Sequence, residues 1–533
     1  MTPGRKSPKI RLMADLGHIK QRLSAVIFLV ALSSCAVPYT PSPPAVKADR
    51  QELMEVFAAG YRNITEKYIE SVSAESIALN GLGGFSSIDP ALKIERLLDM
   101  VTLTYSGMGI KTIKAPDADN IIGWAALTSD MTTAAKHASL DMGAASKEKV
   151  FEAVFDGVLS SLDIFSRYAG AEEATKNRAR RDGFGGIGIT FKAKYSRFVI
   201  TSVLPATPAD KAGLKTGDVI TEIGGKPLAG LDSDDVVSLL HGPTQTSVSM
   251  TIRRSEPPVQ QAVTLTRTHI VPITVTEKRN HGILYFKISS FNQDTAHALA
   301  SKLTTAKIQM GEDLKGIVID LRGNPGGLLK QSVKVADLLL THGGIVSTRG
   351  RHLDSLHNYE ADGRDLADGL PVVVLIDGKS ASAAEIVAAA LQDRNRAVVV
   401  GTSSYGKGTV QTVIRLPNSG EITLTWSRFM APSGYPLHGL GVRPVVCTST
   451  PNSSVENAIK KALMIRPELK ATYESWRIPA LQPKETRVKL RQTCPPEKHK
   501  SGTEIEVAKQ ILDDASIYEK TLDLSAGSVQ ARK

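Results

Sequence analysis

The sequence predicts a multidomain α/β protein. Its 533 residues are enough for two to four domains. Between residues 282 and 426, apolar runs of strand length alternate with helical patterns, the signature of a layered α/β core. Ahead of that core, residues 49–170 carry a helical period, and residues 183–268 carry short strands broken by glycine. Apolar residues make up 42% and charged residues 22%, which excludes a disordered or fibrous chain. The net charge of +11 is modest for this length, and the body holds no dense Lys/Arg tract. Nucleic acid is therefore excluded as a partner.

Residues 1–35 read as a secretory signal. Arg5, Lys6, Lys9, Arg11, Lys20 and Arg22 form a basic flank, and Met13 is an alternative start. Leu23 to Leu32 is apolar but too short to span a bilayer. Leu32-Ser33-Ser34-Cys35 then resembles a bacterial lipobox, in which the cysteine is lipidated and becomes the mature amino terminus. Ala36 follows where an aspartate would argue for retention at the inner membrane. The expected address is the periplasm, lipid-anchored to the outer membrane of a Gram-negative cell. A soluble secretory signal with an incidental cysteine is the alternative.

The elements follow in order. Residues 36–48 are proline-rich and read as an extended spacer. Residues 49–170 read as a helical domain, on the spacing of Leu53, Val56, Phe57, Tyr61 and Ile64, then Leu92, Ile94, Leu97 and Leu98. Ser146 and Lys149 form Ser-x-x-Lys there, in a charged helix with no apolar setting, and are set aside as a chance match. Gly185-Gly186-Ile187-Gly188-Ile189 is a loop rich in free backbone N–H groups. Strands are expected near 199–203 and 248–253, with a helix at 234–240. In the core, strands are expected at 282–290, 316–321, 371–376 and 397–401, and helices at 293–305, 328–340 and 382–393. Asn418-Ser419-Gly420 marks a hairpin between strands 409–416 and 421–426. The extension from 447 to 533 shows helical patterns at 453–464 and 504–514. Cys447 and Cys494 are the cysteines left beyond the signal. An even pair in an exported chain suggests one disulfide, with two free thiols as the alternative.

The candidate chemistry lies in Ser380-Ala381-Ser382-Ala383-Ala384-Glu385 and Tyr405-Gly406-Lys407-Gly408-Thr409-Val410-Gln411. A serine hydroxyl is a weak nucleophile until a neighbour takes its proton, and a lysine amine made neutral by burial can do that. The buried strand at 371–376 aims at Ser382, which opens a helix whose positive end favours a developing oxyanion. Gln411 follows Lys407 at the spacing of one helical turn. No Gly-x-Ser-x-Gly elbow and no His-Glu-x-x-His occurs, which disfavours histidine-based and metal-based hydrolysis. No cofactor or metal is expected.

These two segments, with Asp320-Leu321-Arg322-Gly323-Asn324-Pro325-Gly326-Gly327 upstream of them, resemble the carboxyl-terminal processing proteases over roughly residues 150–446. The resemblance implies a crotonase-like ββα protease core at 269–446, an inserted PDZ-like domain at 183–268 and a Ser–Lys dyad. It makes Ser382 the nucleophile, Lys407 the general base and Gln411 the residue that holds the lysine amine by a hydrogen bond. The oxyanion hole is implied at the N–H of Ala383 with that of Gly326 or Gly327. The loop of Gly186, Ile187, Gly188 and Ile189 is implied to take the carboxylate of a protein or peptide substrate by strand addition. Leu162 to Tyr168 is similar to the family's segment just before the PDZ domain, and Val445 stands where the family usually has aspartate. The readings weighed against an endopeptidase are a catalytically silent peptide-binding scaffold and a small-molecule carrier. An adaptor protein remains open.

Overall fold

In the computed structural model, residues 44–194, 197–449, 455–497 and 502–525 are described. The signal, Cys35 and residues 36–43 lie outside the described residues. The chain divides into two units, 1–48 and 49–533, and apart from the first five residues of the first helix the elements treated below belong to the second.

The first helix, Pro44–Lys67, takes in the end of the segment expected to be extended. Proline suits a helix start, because its φ is preset and its missing N–H is not needed there. Helices Ala74–Gly83, Ile121–Ala138 and Lys147–Ser160 pack with it around Phe57, Tyr61, Trp124, Phe151 and Phe155. Ser146 caps the last of these helices through the Lys149 N–H, a structural use of that pair. The region is not purely helical. Residues Leu92–Leu97, Met100–Tyr105 and Met108–Lys114 form a three-stranded antiparallel sheet. Leu92 and Ile94 alternate with Lys93 and Glu95, a period of two. Leu97 and Leu98, which suggested a helical face, stand 75% and 86% exposed at the hairpin turn.

Strand β1 (Arg167–Ala169) and helix α1 (Ala171–Asp182) lead into the glycine-broken region. There β2 (Ile189–Lys194), β3 (Arg197–Val203), β4 (Val219–Ile223), helix α2 (Ser233–Leu240), β5 (Ser247–Arg254) and β6 (Val259–Thr266) form an antiparallel sheet with the order β6-β5-β4-β3-β2. This leaves β2 on an edge.

The core begins with β7 (Val275–Asn280), β8 (Ile283–Ile288), α3 (Thr295–Met310), β9 (Gly316–Asp320), α4 (Leu329–Asp337), β10 (Gly344–Gly350) and β11 (His357–Glu360). It continues with β12 (Val372–Ile376), α5 (Ala383–Asp393), β13 (Val398–Gly401), β14 (Thr409–Arg415), β15 (Glu421–Met430) and β16 (Val446–Cys447). One sheet runs β7-β8-β9-β12-β13-β16, parallel from β8 onward, and a second runs β11-β10-β15-β14. β12 is buried on both faces, as parallel strands are, hence its unbroken apolar run. Val372, Val374 and Ile376 face the core that contains α5. Val373 and Leu375 face a separate core built by the extension.

Among the described residues, that extension forms five helices: α6 (Val455–Met464), α7 (Arg466–Trp476), α8 (Lys484–Gln492), α9 (Thr503–Asp513) and α10 (Ala515–Ser525). Tyr473, Val507 and Ile511 cover the second face of the parallel sheet. The sequence pattern pointed to α6 and α9 alone.

Candidate active site

Strand β12 delivers Asp377 at its end. One Asp377 oxygen accepts the N–H of Gly323, Lys379 and Ser380 at 2.8, 3.0 and 3.0 Å, and the Ser380 hydroxyl donates to the Leu321 carbonyl. The loop before Ser382 is thus fastened to the loop that carries the glycines. Ser382 follows, half-buried, with φ of +56°, a value rarely adopted by a residue with a side chain. Such conformations persist where their surroundings hold them, often at functional sites. Helix α5 begins at Ala383 and is buried along its length. The Ala383 N–H, at the first helical position, has no intrahelical acceptor.

The glycine pair has a division of labour. Asn324 Oδ1 accepts the Gly326 N–H at 2.8 Å, so that donor is occupied. The Gly326 carbonyl and the Leu328 N–H bond to Phe291, which leaves the Gly327 N–H without an acceptor among the described residues. A Cβ on Gly326 would stand 2.9 Å from the Ser382 Cβ and 3.1 Å from the Ala383 nitrogen. Gly326 therefore lets the two loops touch, while Gly327 and Ala383 present the free N–H groups.

Lys407 is half-buried after the Thr402–Gly406 loop. Its ammonium lies 5.1 Å from the centre of the Phe165 ring. Burial pushes its pKa down, the Arg167 guanidinium adds to this, and Glu385 and Asp163 oppose it. Phe165 is placed by a turn in which Asp163 accepts the N–H of Phe165 and Ser166 at 2.7 and 2.9 Å. The turn is anchored on β15 by the bond from the Thr425 hydroxyl to Asp163, and by β1, which pairs with that strand.

Glu385 carries more of the site than the sequence reading gave it. It is fully buried, and its carboxylate accepts the N–H of Ser382 at 2.7 Å, of Gly406 at 2.7 Å and of Lys407 at 2.9 Å, with the Ser404 hydroxyl as a fourth donor. Burial raises its pKa, and these four donors pull it back. Ser-x-x-Glu at a helix start, Ser382 to Glu385, is a capping-box signal that was open to reading.

Gln411 lies within the strand expected at 409–416, so its spacing of four from Lys407 is not that of a helical turn. It lies on strand β14, where four residues span roughly 13 Å rather than one turn of about 6 Å. Its amide donates to Thr409 Oγ1 at 2.8 Å and Thr425 Oγ1 at 3.2 Å, and the expected bond to Lys407 is not among its contacts.

Gly186, Ile187 and Gly188 are buried at the entry to the edge strand β2, and Ile189 begins it. The Ile187 and Gly188 carbonyls are used, by Ala209 and Leu204, while their N–H groups find no acceptor among the described residues. A groove of about 280 Å³ runs beside them, lined by Phe184, Ile187, Ile189, Phe191, Val237 and Leu240. Cys447 and Cys494 are joined, with Cα atoms 5.9 Å apart.

The peptidase family S41 pattern matches residues 282–447, and a PDZ domain pattern matches residues 199–254. A carboxy-terminal-processing protease of Bartonella bacilliformis is 39% identical over 307 residues, 57% of this chain and 70% of that one. A probable CtpA-like serine protease of Staphylococcus aureus is 31% identical over 318 residues, 59% of this chain and 63% of that one. The solved structure of a photosystem II D1 C-terminal processing protease aligns with a TM-score of 0.38 and 23% identity, over 73% of this chain and 92% of that one. The chain therefore belongs to peptidase family S41, the serine proteases that include the carboxy-terminal-processing protease, and it carries a PDZ domain beside its peptidase core.

Proposed function

We propose that this is an exported serine endopeptidase that cuts proteins near their carboxyl termini, with Ser382 as nucleophile and Lys407 as general base. The observation that carries the reading is the shared anchor: one buried carboxylate, Glu385, holds the backbone of both residues, and burial favours the neutral amine that a base must be. Neutral Lys407 takes the Ser382 proton as the hydroxyl attacks the scissile carbonyl. The oxyanion is received by the N–H groups of Gly327 and Ala383, at the positive end of α5. The same amine, now charged, returns the proton to the leaving nitrogen. Gln411 acts one step back, by fixing Thr425 and through it the Asp163 turn that sets Phe165 over Lys407.

The PDZ domain supplies the preference for chain ends. A substrate adds a strand to β2, its carboxylate meets the N–H groups around Ile187 to Ile189, and its last side chain enters the apolar groove. The core is read as crotonase-like, since β8, β9 and β12 of the parallel sheet are each followed by a helix, and a second sheet shares their apolar core. Lipidation at Cys35 and attachment to the outer membrane remain part of the proposal, as does an adaptor protein. Labelling with palmitate tests the anchor: incorporation that survives Cys35→Ser sinks it. Matched peptides with free-acid or amidated apolar termini test the activity. Cleavage of the free acid, faster than of the amide and absent in Ser382→Ala, is expected. Binding without cleavage would make the protein a scaffold.

A further inference from the structure

The loop that carries Lys407 is held from a direction the family pattern does not include. Ser404 is bonded on three sides within the core. Its N–H donates to the Val442 carbonyl at 3.1 Å, its hydroxyl accepts the Val442 N–H at 2.7 Å, and that hydroxyl donates to Glu385. Its carbonyl accepts from Arg491 Nη2 at 2.8 Å, and Arg491 belongs to α8 in the extension. Arg491 Nη1 donates to the Leu440 carbonyl. One turn earlier on the same helix, Arg487 donates to the His438 carbonyl at 2.9 Å. Helix α8 therefore clamps the 404–407 loop to the 438–441 loop, which already meet where the Gly439 N–H donates to the Gly406 carbonyl.

Arg491 also faces Glu385. A Cβ on Gly441 would stand 3.1 Å from Arg491 Nη1 and 3.1 Å from Glu385 Oε1, so the cation and the carboxylate border one small space that admits no side chain. Burial lowers the pKa of the Arg491 guanidinium, and Glu385 opposes that shift. A buried guanidinium carries a desolvation cost unless its surroundings use its charge and donors. Here two carbonyls and one carboxylate do.

We infer that Arg491 is a positioning residue for this peptidase: it fixes the Ser404 carbonyl and supplies the cation that keeps Glu385 ionised, so that Glu385 can hold the N–H groups of Ser382, Gly406 and Lys407. The inference rests on the Ser382–Lys407 reading above. The groups that face Glu385 are Lys407 from the loop, Arg491 from α8 and the Tyr435 hydroxyl from the turn after β15. Of these, Arg491 is the fixed cation, since Lys407 must lose its proton to work. A protonated Glu385 is a weaker acceptor for three N–H groups, and the loop that carries the base then loosens.

Arg491→Gln removes the charge and keeps one donor; Arg491→Lys keeps the charge but reaches a single carbonyl. In the full chain, Arg491→Gln should lower kcat about tenfold or more at neutral pH, with KM changed less than about twofold. The acid limb of its kcat profile should move up by roughly 0.5–2 pH units, the range for losing one nearby charge at intermediate dielectric. Arg491→Lys should keep the wild-type acid limb and lose less kcat. Hydrogen exchange supplies a readout that needs no turnover. Amides 404–408 should exchange about tenfold faster or more in Arg491→Gln, with α3 unchanged. Unaltered exchange and an unaltered pH profile in Arg491→Gln overturn the inference. An inactive wild type would overturn the peptidase reading instead, and the exchange comparison would still decide whether Arg491 holds the loop. If Arg491→Gln fails to fold, Arg491→Lys decides: a displaced acid limb would refute the charge role, and unchanged exchange the bonding role.

Discussion

Glu385 accepts the backbone N–H of Ser382 at 2.7 Å and that of Lys407 at 2.9 Å, so the proposed nucleophile and base hang from one buried carboxylate. The two residues arrive on different segments, and the carboxylate fixes their relative position. Glu385→Gln keeps the shape but replaces one acceptor oxygen by a donor that faces N–H groups. It should lower kcat by about 10- to 100-fold with KM nearly unchanged, since misplaced catalytic groups cost turnover more than binding. Steady-state kinetics check this; a loss confined to KM would place Glu385 in substrate binding instead.

Ser382→Ala and Lys407→Ala should each reduce turnover roughly 10³-fold or more, and the double variant should be little worse than either, because a nucleophile and its base act as a unit. Additive losses would show that they act separately.

Peptidase activity should rise with pH. The Lys407 pKa is lowered from 10.5, chiefly by burial, so its neutral, basic form gains population as pH climbs through the folded-state value. The measurement is kcat/KM against pH, and a profile that falls across that range would oppose a lysine base. Stability should follow the same direction. Between the folded value and 10.5 the unfolded chain holds a proton that the folded chain lacks, so stability grows with pH across that window. Lys407→Met, which removes a half-buried cation, should raise the melting temperature at pH 7 by about 1–2 °C while abolishing cleavage.

The two loop glycines should fail in different ways. Alanine at Gly326, with φ of +104° and its Cβ 2.9 Å from that of Ser382, should displace the nucleophile and cut kcat about 100-fold. At Gly327 the added Cβ would stand 2.1 Å from the Phe291 carbonyl oxygen. That backbone must move, and Gly327→Ala should lose about 2–3 kcal/mol of stability in denaturant titration. Equal stabilities for the two variants would contradict this assignment.

The Cys447–Cys494 bond closes a loop with a sequence separation of 47. Replacing both residues with serine should remove roughly 3–4 kcal/mol by the loop-closure model. Peptide mapping without reductant should recover the linked pair from the native protein; two free thiols would refute the bond.

How much of this was legible follows from what each element leaves in the sequence. β12 and α5 are buried throughout, so both wrote continuous apolar runs that point at Ser382. The strand that carries Gln411 was legible from the hairpin signal, but its amide's partners, Thr409 and Thr425, were not, because a spacing of four from Lys407 does not say which side chains meet. The sheet at 92–114 was hidden by Leu97 and Leu98, apolar residues that take no part in a core. Helix α8 was overlooked because Val488 and Leu490 are its only apolar residues, it buries no whole residue, and it docks largely through the guanidinium groups of Arg487 and Arg491. Polar docking of that kind writes no apolar run to detect.

The Phe165 turn and helix α8 bracket the Lys407 loop from points far apart along the chain. A ribosome therefore releases the serine and the lysine well before it releases the arginine that braces them. During that interval the segment has its reactive groups but not their geometry. A chain halted before residue 484 would therefore hold both side chains without the clamp of helix α8.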